Sequence, residues 1–338
     1  MGVDLSLGVP EWPTSSAIIR FQENFKLNLN DIYSYPTAIS DEESIPVLSV
    51  LGDYFSVDFI SDFSLSVHNG GRAALHDILK YAFSSMKVKE IFLQQPCWFG
   101  YNEILSMAPW VPRTISQYKK SDTRKLIIIC LPNNPDGQIN LDFEIDEPTT
   151  LVIDLVYFSF LGEREREEVS KFIKRYSSQT LLVLSTSKTC CAPGVRVAYV
   201  ASKNSEMTMQ LRTLQKESYN LPSNLNRSIS AMLWNNKEEI SKVRDLYIDL
   251  RTAVESEFVK SNLDYRIFGM FIWVVIKGAD AKQVISEVRG RCGYIGASGA
   301  RFGAPDGTRW TLRTGVNYKV LVEALVKIKD QERQYDKA

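Results

Sequence analysis

Three apolar runs, Leu126-Ile127-Ile128-Ile129-Cys130-Leu131, Leu151-Val152-Ile153 and Leu181-Leu182-Val183-Leu184, each stop abruptly at polar chemistry. The first ends in Pro132-Asn133-Asn134-Pro135-Asp136-Gly137, the second in Asp154, the third in Ser185-Thr186-Ser187-Lys188. Unbroken apolar runs of this length read as strands buried on both faces, the habit of parallel sheets rather than of half-solvated antiparallel ones. Ile91-Phe92-Leu93 and Val197-Ala198-Tyr199-Val200-Ala201 add two more strands, and helical spacing returns between them. From about residue 60 to 202 the chain is therefore expected to form an α/β layered domain with a mostly parallel sheet.

Ligands of such sheets bind at the carboxyl ends of the strands, so the polar residues found there carry the functional reading. A lysine after an apolar run is most often a solvated strand end. Lys188, however, has hydroxyls before it and Arg196 eight residues later. An amine in a partly dry pocket beside a fixed cation has its pKa lowered and becomes a nucleophile able to form a Schiff base. Asp154 at the end of a buried strand needs a cation or a donor, and Tyr157 follows it. Two asparagines between prolines exceed what a bare turn requires. Trp98 and Phe99, just past a strand end, offer a stacking face or simply core packing. Gly70-Gly71-Arg72 opens an amphipathic stretch, leaving free N–H groups for an anion at the start of a helix, although neither nucleotide glycine motif is present.

Forty basic and forty acidic residues cancel, which argues against nucleic acid or an anionic membrane as partner. The five cysteines show no metal-binding spacing and there are only two histidines, so no metal centre is expected and the thiols read as reduced. The N-terminus lacks a secretory pattern, Met1-Gly2 is a faint myristoylation match, and no apolar stretch reaches the roughly 18 residues of a membrane span, so the expected location is the cytoplasm. Residues 1–45, rich in proline, are expected to be an extended arm of the kind that crosses to a partner subunit. Residues 46–235 then form a large domain and 236–338 a small one. In the arm, Tyr35 before Pro36 is held extended, either offering its hydroxyl outward or marking a surface turn. In the small domain Ile267–Ile276 reads as one strand, and Arg313 beside Leu312 suits a carboxylate clamp or a structural role.

Taken in order, Asn69-Gly70-Gly71-x-x-Ala74-Leu75, Pro96-x-Trp98, Pro132-Asn133-Asn134-Pro135-x-Gly137, Asp154-x-x-Tyr157, Ser185-x-Ser187-Lys188 and Arg196 resemble the class I/II aminotransferases, fold-type-I pyridoxal-phosphate enzymes of the histidinol-phosphate and aspartate aminotransferase kind. Phe268-Gly269-x-Phe271-x-Trp273, Ser298-Gly299-x-x-Phe302-Gly303 and Arg313-Thr314-Gly315 are similar to that family's small domain, so the likeness spans roughly residues 8 to 325. The resemblance implies pyridoxal 5'-phosphate as cofactor, with Lys188 as the Schiff-base lysine and later general base, and Asp154 on the pyridinium nitrogen. It places Asn134 and Tyr157 on the phenolic oxygen and Trp98 on the ring. Ser185, Ser187, Arg196, Gly71 and Arg72 would hold the phosphate, Tyr35 would reach it across a homodimer, and Arg313 with Asn134 would hold the substrate. The activity implied is ping-pong amino transfer between an amino acid and a 2-oxo acid. The same scaffold also hosts lyases, cyclases and decarboxylases, and a non-catalytic scaffold is the remote alternative. Ala198 departs from the family's glycine. The substrate side chain is not named: Arg72, Arg291, Arg301 and Arg309 offer an anion site, and Trp12, Phe99 and Trp273 an apolar one.

Overall fold

The structure, a computed structural model, describes residues 2–11, 23, 25–26, 28–55, 62–107, 110–218 and 220–335. Trp12 lies outside them. Along the chain the strands are β1 (Val3–Asp4), β2 (Ser64–His68), β3 (Glu90–Leu93), β4 (Arg113–Thr114), β5 (Lys125–Cys130), β6 (Thr149–Asp154), β7 (Thr180–Ser185), β8 (Ala198–Ser202), β9 (Asp264–Phe268), β10 (Phe271–Val275), β11 (Tyr294–Ile295), β12 (Ala297–Ser298) and β13 (Gly307–Thr311).

Seven of these strands make one sheet in the order β2-β8-β7-β6-β5-β3-β4. Only the pairings of β8 are antiparallel. Alternation along each strand feeds two separate cores: Leu126, Ile128, Val152 and Val183 pack on one face, Ile127, Ile129, Ile153 and Leu184 on the other. This two-sided burial is what the unbroken apolar runs predict. The edge strand β2 is closed by side chains of the Ser205–Ser218 helix: Arg212 donates to the Leu65 carbonyl at 2.8 Å and Gln215 donates to that of Val67. Buried His68 lies 2.8 Å from Asp77 of the Gly71–Ser84 helix, tying the end of β2 to the helix that follows it.

A second, antiparallel sheet runs β12-β13-β10-β9. The stretch read as one strand over 267–276 is a hairpin. Gly269, at φ +49°, and Met270 turn the chain between β9 and β10, because glycine enters the left-handed region without penalty. The long helical stretch after residue 221 divides into Asn224–Asn235 and Lys237–Phe258, the second capped by Asn236, whose side chain accepts from the Glu239 N–H at 3.3 Å. No helix among the described residues is long and apolar enough to cross a membrane.

Within the segment expected to be an extended arm, the first described residues pair with the small domain. β1 pairs in parallel with β11, the Leu5 N–H donates to the Ile295 carbonyl at 2.8 Å, and the Leu5 carbonyl accepts from Thr311 at 2.8 Å. Leu5 is fully buried, so this one side chain anchors the segment against the small sheet while Val3 and Leu7 stay exposed. The physical reason is a lone leucine that completes a core, a signal too short for periodicity to register. Leu5→Ala is expected to destabilise the protein by about 2–4 kcal/mol, read as a lower midpoint in chemical unfolding.

Candidate active site

A cavity of about 320 Å³ opens at the carboxyl ends of β2, β3, β5, β6 and β7, against the small sheet and residues 6–8. Gly71, Arg72, Trp98, Asn134, Asp154, Tyr157, Ser185, Ser187, Lys188 and Arg196 all line it. Ten positions scattered over some 125 residues of sequence are thus gathered on one rim.

Lys188 sits in the four-residue helix Thr186–Thr189, which Ser185 caps by accepting the Ser187 N–H at 3.2 Å. Its amine donates to the Gly8 carbonyl. Burial, reinforced by Arg309 and Arg196, brings its pKa down to about 8 against the attraction of Asp154. Asp154 ends β6 and is buried, accepting from the Tyr101 hydroxyl at 2.7 Å and the Val156 N–H at 3.2 Å. Burial outweighs these donors and raises its pKa to about 6. A carboxyl so placed is under-compensated and favours a further N–H or cationic partner.

The two asparagines divide their work. Asn133 staples the turn, donating to the Pro96 carbonyl at 2.9 Å and to Asp136 at 2.6 Å. Asn134 faces the cavity, donating to the Tyr157 hydroxyl at 3.3 Å and accepting from Arg309 at 2.7 Å. At the opposite end, the Gly71–Ser84 helix starts with no side-chain cap, so its first N–H groups remain available to an anion. Gly70, at φ +87°, lets Arg196 pack against it: a Cβ there would lie 2.5 Å from the guanidinium. Arg72 is partly neutralised by Glu103 at 2.8 Å.

Two residues named from the sequence, Arg313 and Tyr35, are not among those lining the cavity. β13 ends at Thr311, and the Arg313 backbone N–H donates to the Tyr318 hydroxyl at 2.6 Å. Arg309, inside β13, is the buried arginine that faces the site, donating to Asn134 and, at 2.7 Å, to the Ser6 carbonyl. Its Nε has no hydrogen-bond partner. Tyr35 is also absent from the lining; it is 91% exposed on the chain's surface.

Sequence reasoning missed Tyr101 and the carbonyls of Ser6 and Gly8. Tyr101 stands in the aromatic cluster after Pro96 with nothing in the sequence to pair it with Asp154, and backbone acceptors leave no trace in residue identity. Because the Tyr101 hydroxyl stabilises the ionised Asp154, Tyr101→Phe is expected to push the Asp154 pKa further above 6. Any ligand that requires the carboxylate would then bind more weakly at neutral pH, with its acid limit displaced upward, a shift that titrations of cofactor affinity at several pH values would read.

The aspartate aminotransferase of Sulfolobus acidocaldarius is 20% identical over 284 residues, a match covering 76% of this chain and 69% of that one. The fold superimposes on an aminotransferase from Staphylococcus aureus with a TM-score of 0.76 at 18% identity, covering 98% of this chain and 94% of the other. It superimposes also on the kynurenine aminotransferase of Pyrococcus horikoshii, whose structure holds PMP, with a TM-score of 0.74 at 16% identity over 98% of this chain and 91% of that one. At such identities the superpositions establish a shared fold-type-I architecture. Residues 64–328, from β2 into the last helix, match aminotransferase class I and II as a family, and this chain, a transferase enzyme, belongs to it.

Proposed function

We propose that the protein is a pyridoxal 5'-phosphate-dependent aminotransferase that moves an amino group between an amino acid and a 2-oxo acid in two alternating half-reactions. The observation that carries this reading is the amine of Lys188, lowered to about 8 within a cavity that also presents Asp154, Arg196 and Arg309. The donor set fits the cofactor at both ends. Free helix N–H groups at Gly71 and Arg72, the hydroxyls of Ser185 and Ser187 and the Arg196 guanidinium suit a phosphate, while the under-compensated Asp154 suits a protonated ring nitrogen. Bound there, the cofactor would supply an electron-withdrawing ring that accepts the charge left on the substrate Cα when its proton departs.

The chain's own residues do the rest. Trp98 would cover one face of the ring, and Asn134 and Tyr157, already hydrogen-bonded to each other, would hold its phenolic oxygen. Lys188, with a pKa near 8, is free to take a proton from Cα and return it, which makes it the general base. Arg309 takes over the carboxylate-clamp role first assigned to Arg313. A carboxylate held by a buried guanidinium is kept in place, which favours amino transfer over decarboxylation. Exposed Tyr35 is assigned to the phosphate of a second copy in a homodimer.

A single-turnover panel tests the reading. Cofactor-loaded protein, mixed with amino acids and no acceptor, is expected to release about one equivalent of 2-oxo acid per site and then stop until a 2-oxo acid is added. Continuous consumption of the amino acid without acceptor, or release of carbon dioxide or ammonia in its place, would overturn it.

A further inference from the structure

Among the described residues, Lys188, Arg196, Arg301 and Arg309 line the cavity without a carboxylate ion-pair partner, whereas Arg72 has Glu103. On the function proposed above, Lys188 is the reacting amine, Arg196 meets phosphate and Arg309 meets the α-carboxylate. Arg301 is left facing the same space with no anion assigned to it. Its guanidinium carbon lies 4.0 Å from the centre of the Phe99 ring, a cation–π contact that holds an otherwise exposed side chain at the mouth of the cavity.

The backbone that carries Arg301 is built for placement. Gly299–Phe302 forms a 3₁₀ turn capped by Ser298, and a Cβ at Gly299 would meet the Ala304 carbonyl at 2.1 Å and that of Gly307 at 2.3 Å. The Phe302 carbonyl accepts from the Cys97 N–H at 3.0 Å, locking the turn to the segment that bears Trp98 and Phe99. Arg301 is near enough to depress the pKa of Arg309, so two cations repel each other across one wall. Such an arrangement is relieved by a ligand with two anionic groups.

We infer that Arg301 is a specificity-determining residue that receives a second anionic group on the substrate, distal to the α-carboxylate, so that the preferred amino acid carries an acidic side chain. This rests on the proposed function. Glutamate and aspartate would present a carboxylate, O-phosphoserine a phosphate ester. The neutral comparison substrates are alanine and leucine, which the distal cation cannot help.

The experiment uses cofactor-loaded protein and the same panel, comparing wild type with Arg301→Gln. The expected result is that the ratio of kcat/KM for acidic over neutral amino acids falls about tenfold or more, with the larger fall for glutamate or for O-phosphoserine showing which anion is read. Calorimetric titration with glutarate and with butyrate supplies a readout independent of turnover: glutarate is expected to bind wild type more tightly than butyrate does, and to lose that advantage in Arg301→Gln. Equal binding of the two acids by wild type, or an unchanged acidic-to-neutral ratio, would overturn the inference while amino transfer from alanine or leucine left the parent reading standing. Absence of 2-oxo acid from every member of the panel would sink both.

Discussion

Lys188→Ala is expected to lower kcat by at least about 10³-fold and to abolish the visible absorption band that cofactor-loaded wild-type protein should show. On the proposed function two roles would disappear together, the amine that would bind the cofactor covalently and the base that would move the proton, and a positioned base alone contributes about 10²- to 10⁴-fold. The same residue makes a pH prediction. The reactive species is the neutral amine, and burial with Arg309 and Arg196 nearby lowers its pKa from 10.5 to about 8. The rate at which the cofactor-free protein takes up pyridoxal phosphate should therefore rise with pH through an inflection near 8 to a plateau above it, whereas a solvated lysine would go on accelerating toward 10.5. For stability the sign is the same, rising with pH. The unfolded chain holds this proton up to about 10.5 and the folded one only to about 8, so as pH falls through that window the amine favours the unfolded state. Stopped-flow uptake across pH and urea midpoints at pH 8 and 10.5 measure the two effects. A rate profile with no inflection near 8 would return Lys188 to the status of a solvated strand end.

The cavity was legible where side-chain type and strand polarity together determine position. A run such as Leu181 to Leu184 specifies a strand buried on both faces, and whatever follows it must emerge at the sheet edge; Lys188, Asp154 and Asn134 were therefore placed on one rim by the pattern alone. Legibility failed where the determinant is not periodic. Leu5 carries no pattern, since a single buried leucine becomes meaningful only when the strand it joins, β11, is known. The carbonyls of Ser6 and Gly8 reach Arg309 and Lys188 through backbone atoms common to every residue. Tyr101 is a different case, because its hydroxyl bonds the buried Asp154 and only the fold shows that the one meets the other.

The substitution of Arg309 for Arg313 as clamp makes the second large prediction. Both arginines border the final strand, and strand alternation alone puts 309, 311 and 313 on one side. The end of β13 at Thr311 decides between them, since the rule fails once the backbone turns. Arg309 is held by Asn134 and the Ser6 carbonyl, stacks 4.3 Å over Phe271, and keeps its Nε unpaired. It remains charged at neutral pH although burial lowers its pKa to about 10. A buried, oriented guanidinium of this kind is worth much more to a carboxylate than an exposed one, and truncating it is expected to reduce kcat/KM by about 10²- to 10³-fold. Part of that loss would come from stranding Asn134 and Ser6 without a donor, which is a matter of folding rather than of substrate. A cycle separates the two: in wild type an α-amino acid should outreact the corresponding amine lacking the carboxylate, and in Arg309→Ala that advantage should vanish while the amine's own rate changes less. Arg309→Lys, which retains charge but not the fork of donors, should fall between. Arg313→Ala should stay within about threefold of wild type, because its N–H to Tyr318 survives the change and its side chain lies outside the cavity. If Arg313→Ala instead erased the carboxylate advantage and Arg309→Ala preserved it, the clamp would belong to Arg313 after all.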